Sequence, residues 1–186
     1  MHILGHLPEG GIAIIGSRTP PDEAASFAYE LAKRINEPVI AGLAPGIDTA
    51  AHRGALDAGT PTVAFVPYGF GASNDPELER EIIEGGGAVA TLREPNEPAT
   101  EEARIERDRL QAEHARAILL VCSEIDGGAT HTMRFARELG KRRFAVMPPH
   151  NASSDLYWSG NTAALLEGAT PLPLQVDEAL QLLRIR

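Results

Sequence analysis

Six short apolar runs divide the chain, each ending in a polar or glycine-bearing turn. They are Gly11–Ile15, Val39–Ala41, Thr62–Val66, Gly87–Thr91, Ile118–Cys122 and Arg143–Met147. Most are continuous rather than alternating, which predicts strands buried on both faces. Between them the apolar period lengthens to that of helices. Thr19-Pro20-Pro21-Asp22 starts the first helix, because proline suits a first turn and acidic residues suit its positive end. Its predicted stripe is Ala25, Tyr29, Ala32 and Ile35. Further helices are predicted from Asp48 to Ala58, Asp75 to Glu84, Thr100 to Arg116, the Gly127-Gly128 turn to near Gly140, Thr162 to Glu167 and Val176 to Leu183. Strands alternating with helices predict an α/β fold of three layers, α/β/α, around a mainly parallel sheet of six or more strands. The run at Ile118 is expected near the sheet centre. A single domain over residues 1–186 is expected, with its core at about 11–170 and a helix at 176–183.

Sheets of this kind bind ligands beyond the carboxyl ends of their strands. Three glycine-bearing turns fall there: Gly16-Ser17-Arg18, Gly42 to Gly46, and Gly127-Gly128. If their strands are neighbours, the turns converge on one groove. Val39 to His52 holds a strand, a glycine–proline turn and a helix start, where free backbone N–H groups favour an anion. A tight turn that packs a helix against a sheet is the alternative. Arg18 can fork onto a phosphate. Asp48 and His52 share a helix face, as an acid–base pair or as a capping carboxylate beside a packed histidine; the structural role is preferred. Arg107 and Arg109 point about 200° apart on an ideal helix, so at most one faces the groove.

Composition narrows the function. The net charge of −9 argues against indiscriminate nucleic-acid binding. The basic residues are concentrated, however. Residues 101–143 hold nine Lys/Arg and eight Asp/Glu of the chain's 17 and 26. Aromatics make up 5%, so base-stacking platforms are few. No G-x-G-x-x-G, P-loop or G-x-S-x-G motif occurs, and the histidines lack metal-ligand spacing. No cofactor, metal or catalytic residue is therefore expected. The lone Cys122 sits in an apolar run, and neither a signal peptide nor a membrane span is evident, which suits a reducing cytoplasm.

Three blocks together resemble the DprA/Smf family. The first is Ile12 to Arg18, and the second is Ile40 to Leu56 with Gly42, Leu43, Gly46, Ile47, Asp48 and His52. The third comprises Gly128, Thr132, Arg134-Phe135-Ala136, Glu138 and Gly140-Lys141, then Phe144 to Val146 and Ser159-Gly160-Asn161. The resemblance implies an extended Rossmann-like fold that binds single-stranded DNA in DNA uptake and recombination. It also implies RecA as a partner and a homodimer. The candidate DNA- or phosphate-binding set is Gly16, Ser17, Arg18, Gly42, Leu43, Gly46, Ile47, Asp48, Arg107, Arg109, Gly127, Gly128, Thr130 and Thr132, supported by His52, Arg134 and Asn161; of these the resemblance implies Arg18, Arg107 and Arg109, and the glycine turns add the rest of the anion-facing residues. The chain departs from the family pattern at Pro45, where an arginine is usual, at Asp108, and at Gly127. A stand-alone core is expected, since no flanking domain accompanies it. The alternative is a sensor or processing enzyme for a nucleotide or sugar phosphate in the same groove. The related cytokinin-activating phosphoribohydrolases carry a catalytic glutamate where Arg134 stands, which argues against their hydrolysis.

Overall fold

The computed structural model describes residues 1–150 and 156–184. Among these residues eight strands form one sheet: β1 (His2–Gly5), β2 (Ile12–Ile15), β3 (Val39–Ala41), β4 (Thr62–Phe65), β5 (Ala88–Thr91), β6 (Ala117–Leu120), β7 (Arg142–Val146) and β8 (Thr170–Leu172). Their order is β1-β5-β4-β3-β2-β6-β7-β8, and every pairing is parallel except β1 with β5. The expected α/β architecture is thus observed, with two more strands than the six runs. Both additions are short edges that lack a run of buried residues. β1 pairs antiparallel and stays largely exposed. β8 carries Pro171, which an edge strand tolerates.

Residues on successive strand positions face opposite layers. Ile12 and Ile14 pack into one cluster, and Ala13 and Ile15 into the other. This explains the continuous apolar character of the runs. On the first face lie α1 (Asp22–Arg34), α2 (Ile47–Asp57), α3 (Pro76–Glu84) and α7 (Val176–Arg184). On the second lie α4 (Glu101–His114), α5 (Ala129–Glu138) and α6 (Ser159–Leu166). The caps are legible: Thr100 accepts from the Ala103 N–H at 3.1 Å, and Asp75 from the Leu78 N–H at 3.0 Å.

The buried face of α1 is Ala24, Phe27, Ala28, Leu31 and Ala32, so the expected stripe is rotated. Phe27 and Leu31 offer more apolar area than Ala25 and Tyr29, which lie at the margin. The Tyr29 hydroxyl donates to Asp57 on α2. The last helix packs Ala179, Leu180 and Leu183 on the chain's own core, beside α1. α6 begins three residues before the expected start, preceded by a 3-10 turn that buries Trp158. No helix among the described residues is long and apolar enough to cross a membrane.

β2 is the switch point of the sheet. The chain moves outward through β3, β4 and β5, then returns to add β6 on the other side of β2. A crevice opens where the strand order reverses.

Candidate functional site

At that crevice lies a cavity of about 430 Å³. Ser17 and Arg18 after β2 form one wall, and Ser123, Gly127 and Gly128 after β6 form another. α4 contributes Arg104, Arg107, Asp108 and Gln111, and α5 contributes His131 and Thr132. The β2 and β6 turns are stitched together, with the Ser17 N–H donating to the Cys122 carbonyl at 2.7 Å. The Ser17 hydroxyl accepts from the Thr19 N–H at 3.1 Å, which orients the turn that projects Arg18 into solvent.

The Gly42 loop does not form an open anion cradle. Asp48 reaches back from the first turn of α2 and accepts from the Gly42 N–H at 2.8 Å and, more weakly, from the Ala44 N–H at 3.5 Å. The Ile47 N–H donates to the Ser17 carbonyl at 3.1 Å. The loop therefore surrounds its own carboxylate. Gly42, Leu43, Gly46 and Ile47 support the wall of the cavity from behind, and of this stretch Ala44 and Asp48 line it. Those four residues, expected as phosphate contacts, are therefore placed behind the cavity rather than on its surface.

Arg107 is the counter-charge beneath this loop. It is 8% exposed. Its Nη1 donates to the Gly42 carbonyl at 2.6 Å and to the Phe65 carbonyl at 3.3 Å, and its Nε to Asp108 at 2.9 Å. A Cβ at residue 42 would fall on this guanidinium, so glycine is what lets Arg107 reach this position. Burial pushes the Asp48 carboxyl above its usual pKa, and Arg107 pulls it part of the way back. Asp108, also buried, is pushed up to about 6 by the same cause against the same restraint, with Asp48 adding to the push. His131 Nδ1 lies 3.7 Å from its second oxygen. Arg107 thus faces the groove from its floor with Nε and Nη1 engaged, as a brace.

Arg109 lies on the outer face of α4, where it pairs with Glu113 at 2.9 Å and sits over the Phe135 ring. Arg134 covers the same ring and approaches Glu138 at 3.9 Å. Neither lines the cavity, so the helical phase separates Arg107 from Arg109 as expected. Thr130 donates to the Gly127 carbonyl at 2.7 Å and faces the far side of α5. Thr132 is buried in the wall beside Gln111. Asn161 is fully buried away from the opening. It accepts from the Ser123 N–H at 3.0 Å and donates to the Val121 and Val146 carbonyls at 2.9 Å, tying β6 to β7.

His52 is a core residue. Thr62 donates its hydroxyl to the Val39 carbonyl at 2.9 Å, so the hydroxyl accepts from His52 Nδ1 at 2.7 Å. The imidazole is neutral, and burial drives its pKa down to about 3. The structural roles of Asp48 and His52 are therefore the observed ones.

Sequence reasoning missed Gln111, Ser123 and His131 as lining residues, while Arg104 lies in the 104–109 segment from which positive charge was expected. A signal existed on α4: residues 104, 107, 108 and 111 follow the i, i+3, i+4, i+7 spacing of one helix face. The charge at the groove is nearly balanced. Arg18, Arg104 and Arg107 face Asp48, Glu101, Asp108 and Glu124. Arg104 already contacts Glu101 at 3.3 Å.

The family model for DNA recombination-mediator protein A matches residues 4–184. A provisionally named DNA processing protein DprA of Mycobacterium tuberculosis is 32% identical over 176 residues, covering 91% of this chain and 44% of that protein. The chain thus spans less than half the length of that relative. The X-ray structure of DprA from Streptococcus pneumoniae matches with a TM-score of 0.83 and 25% identity, over 96% of this chain and 64% of that one. DprA from Helicobacter pylori, whose structure addresses its single-stranded DNA binding mode, matches with a TM-score of 0.81 and 20% identity, over 97% and 85% of the two chains.

Proposed function

This chain belongs to the DNA recombination-mediator protein A family, and from that premise we propose that its groove binds single-stranded DNA by the sugar–phosphate backbone. DNA processing and recombination in the cytoplasm, with RecA as a partner and the protein as a homodimer, belong to the same reading. One observation carries it: Arg18 stands exposed at the mouth of the switch-point groove, with no ion pair among the described residues. Beside it, α5 starts after Gly128 without a side-chain cap; the Thr130 and His131 N–H groups turn back to the Gly127 and Gly128 carbonyls at 3.0 Å, while Gly128 and Ala129 border the same space.

The test is a titration of a fluorescent oligonucleotide over a salt series. Arg18 and Arg104 are the groove cations not engaged by backbone carbonyls, and two neutralised phosphates give a slope of about −1.4 in log K against log salt. Arg18→Ala reduces affinity about tenfold, or ~1.4 kcal/mol, and flattens the slope by about half. Unchanged affinity and slope would remove Arg18 from the site.

A second reading, a mononucleotide or sugar phosphate in the same groove, rests on the cavity's volume and near-balanced charge. About 430 Å³ lies within the range of small-molecule pockets. A melting shift with a mononucleotide and none with an oligonucleotide would select it.

A further inference from the structure

A second hollow, of about 240 Å³, opens between α5 and α6 on the side of α5 away from the groove. Its floor is apolar, made of Leu120, Met133, Ala163 and Ala164. Ile125 stands at the lip, 54% exposed and without a role in the core. His131, in the first turn of α5, lines both this hollow and the groove. The two spaces therefore meet across that turn.

We propose that the hollow takes one unstacked base of the strand whose phosphates lie in the groove, the backbone crossing the first turn of α5. The inference rests on the single-stranded DNA reading above. Size is the first argument. The volume falls below the roughly 300 Å³ at which pockets for drug-sized ligands begin, which suits one planar ring system better than a whole nucleotide. Charge is the second. The guanidiniums at the rim are already matched, Arg137 with Glu167 at 2.8 Å and Arg134 with Glu138 at 3.9 Å. Glu167 itself lines the hollow. A phosphate would meet a carboxylate there, whereas a neutral base would meet an apolar floor. The third argument is stacking. Bases splayed from a single strand stack on guanidinium planes as well as on aromatic rings. Among the described residues no Phe, Tyr or Trp lines the groove or the hollow, so the arginines at the rim and the His131 ring supply that surface.

The test compares an oligothymidylate with an abasic backbone of the same length, over a salt series. The wild-type protein binds the base-bearing strand about tenfold more tightly. That ratio stays constant with salt, because burial of a base is not screened as phosphate contacts are. Ala163→Phe, which fills the hollow, and Ile125→Glu, which places a carboxylate at its exposed lip, each bring the two strands to equal affinity. Both variants keep the Arg18-dependent salt slope. Ile125 is exposed, so its replacement tests the site even where Ala163→Phe disturbs the fold. Wild-type discrimination that survives Ile125→Glu, or its absence from the outset, overturns the subsite while leaving the groove reading intact. A change in oligomeric state with Ile125→Glu and no change in base discrimination assigns the hollow to a second copy and likewise overturns it. Failure to bind either strand overturns both readings.

Discussion

Replacing Arg107 with methionine separates its role as a brace from that of a phosphate ligand. The substitution keeps much of the side chain's volume and removes its charge. Asp48 and Asp108, 6% exposed each, then lose their buried counter-ion, and the carbonyls of Gly42 and Phe65 lose a donor. Breaking a buried pair in this way costs about 4 kcal/mol. At a urea dependence of about 2 kcal/mol per molar, the unfolding midpoint falls by about 2 M. The loss depends on pH, and its sign follows from the carboxyls. Burial raises their folded pKa values and Arg107 lowers them, leaving Asp108 at about 6. Without Arg107 those folded values rise further above the unfolded ones. A group raised on folding contributes stability at low pH and loses it as pH rises through the folded value. The deficit of Arg107→Met is therefore largest at pH 8 and shrinks by half or more at about pH 5. Urea unfolding followed by circular dichroism at both pH values measures this. A midpoint shift below about 0.5 M at pH 8, or an equal shift at both pH values, would refute the brace.

Two further predictions concern the supports of the site. His52 is held neutral with a folded pKa of about 3 against an ordinary 6.5, so the unfolded chain binds its proton first as pH falls. Wild-type protein loses about 2 kcal/mol through this residue between pH 7.5 and 5, a loss that His52→Leu does not show; parallel pH profiles of the two proteins would count against it. Asn161→Ala leaves one buried N–H and two carbonyls at the ends of β6 and β7 without partners and lowers stability by about 3 kcal/mol. A urea midpoint within experimental error of wild type would show that Asn161 is not the tie between those strands.

The fold was legible because its strands are buried on both faces. A run such as Ile118-Leu119-Leu120 cannot be an exposed edge without a large apolar penalty, and it lies between β2 and β7. β1 and β8 were not legible, since a strand of three or four residues at an edge needs neither periodicity nor burial. At the site, the convergence of the three turns followed from strand order. The direction of individual N–H groups did not. Whether Gly42 presents its N–H to a ligand or to Asp48 depends on a contact between residues six apart, closed only when α2 docks. Arg107 posed the same difficulty: its helix face was a choice of phase, but its burial depends on carbonyls 65 and 42 residues away in sequence.

These contacts form a chain of necessity that determines where a bound anion can be held. Asp48 closes the Gly42 loop and is buried in doing so. A buried carboxylate requires a buried cation, and Arg107 supplies it. Arg107 lies so closely against residue 42 that a side chain there would displace it. The glycine turn most suggestive of a phosphate cradle thus directs its Gly42 and Ile47 N–H groups to Asp48 and the Ser17 carbonyl. Pro45, exposed at its tip, adds no charge. What the groove offers an anion besides that loop is the exposed Arg18 next to it and the start of α5 across from it. The same turn of α5 borders the apolar hollow. A ligand satisfying both sides alternates charged and flat apolar parts over a short distance, as a nucleotide strand does and a free phosphate does not.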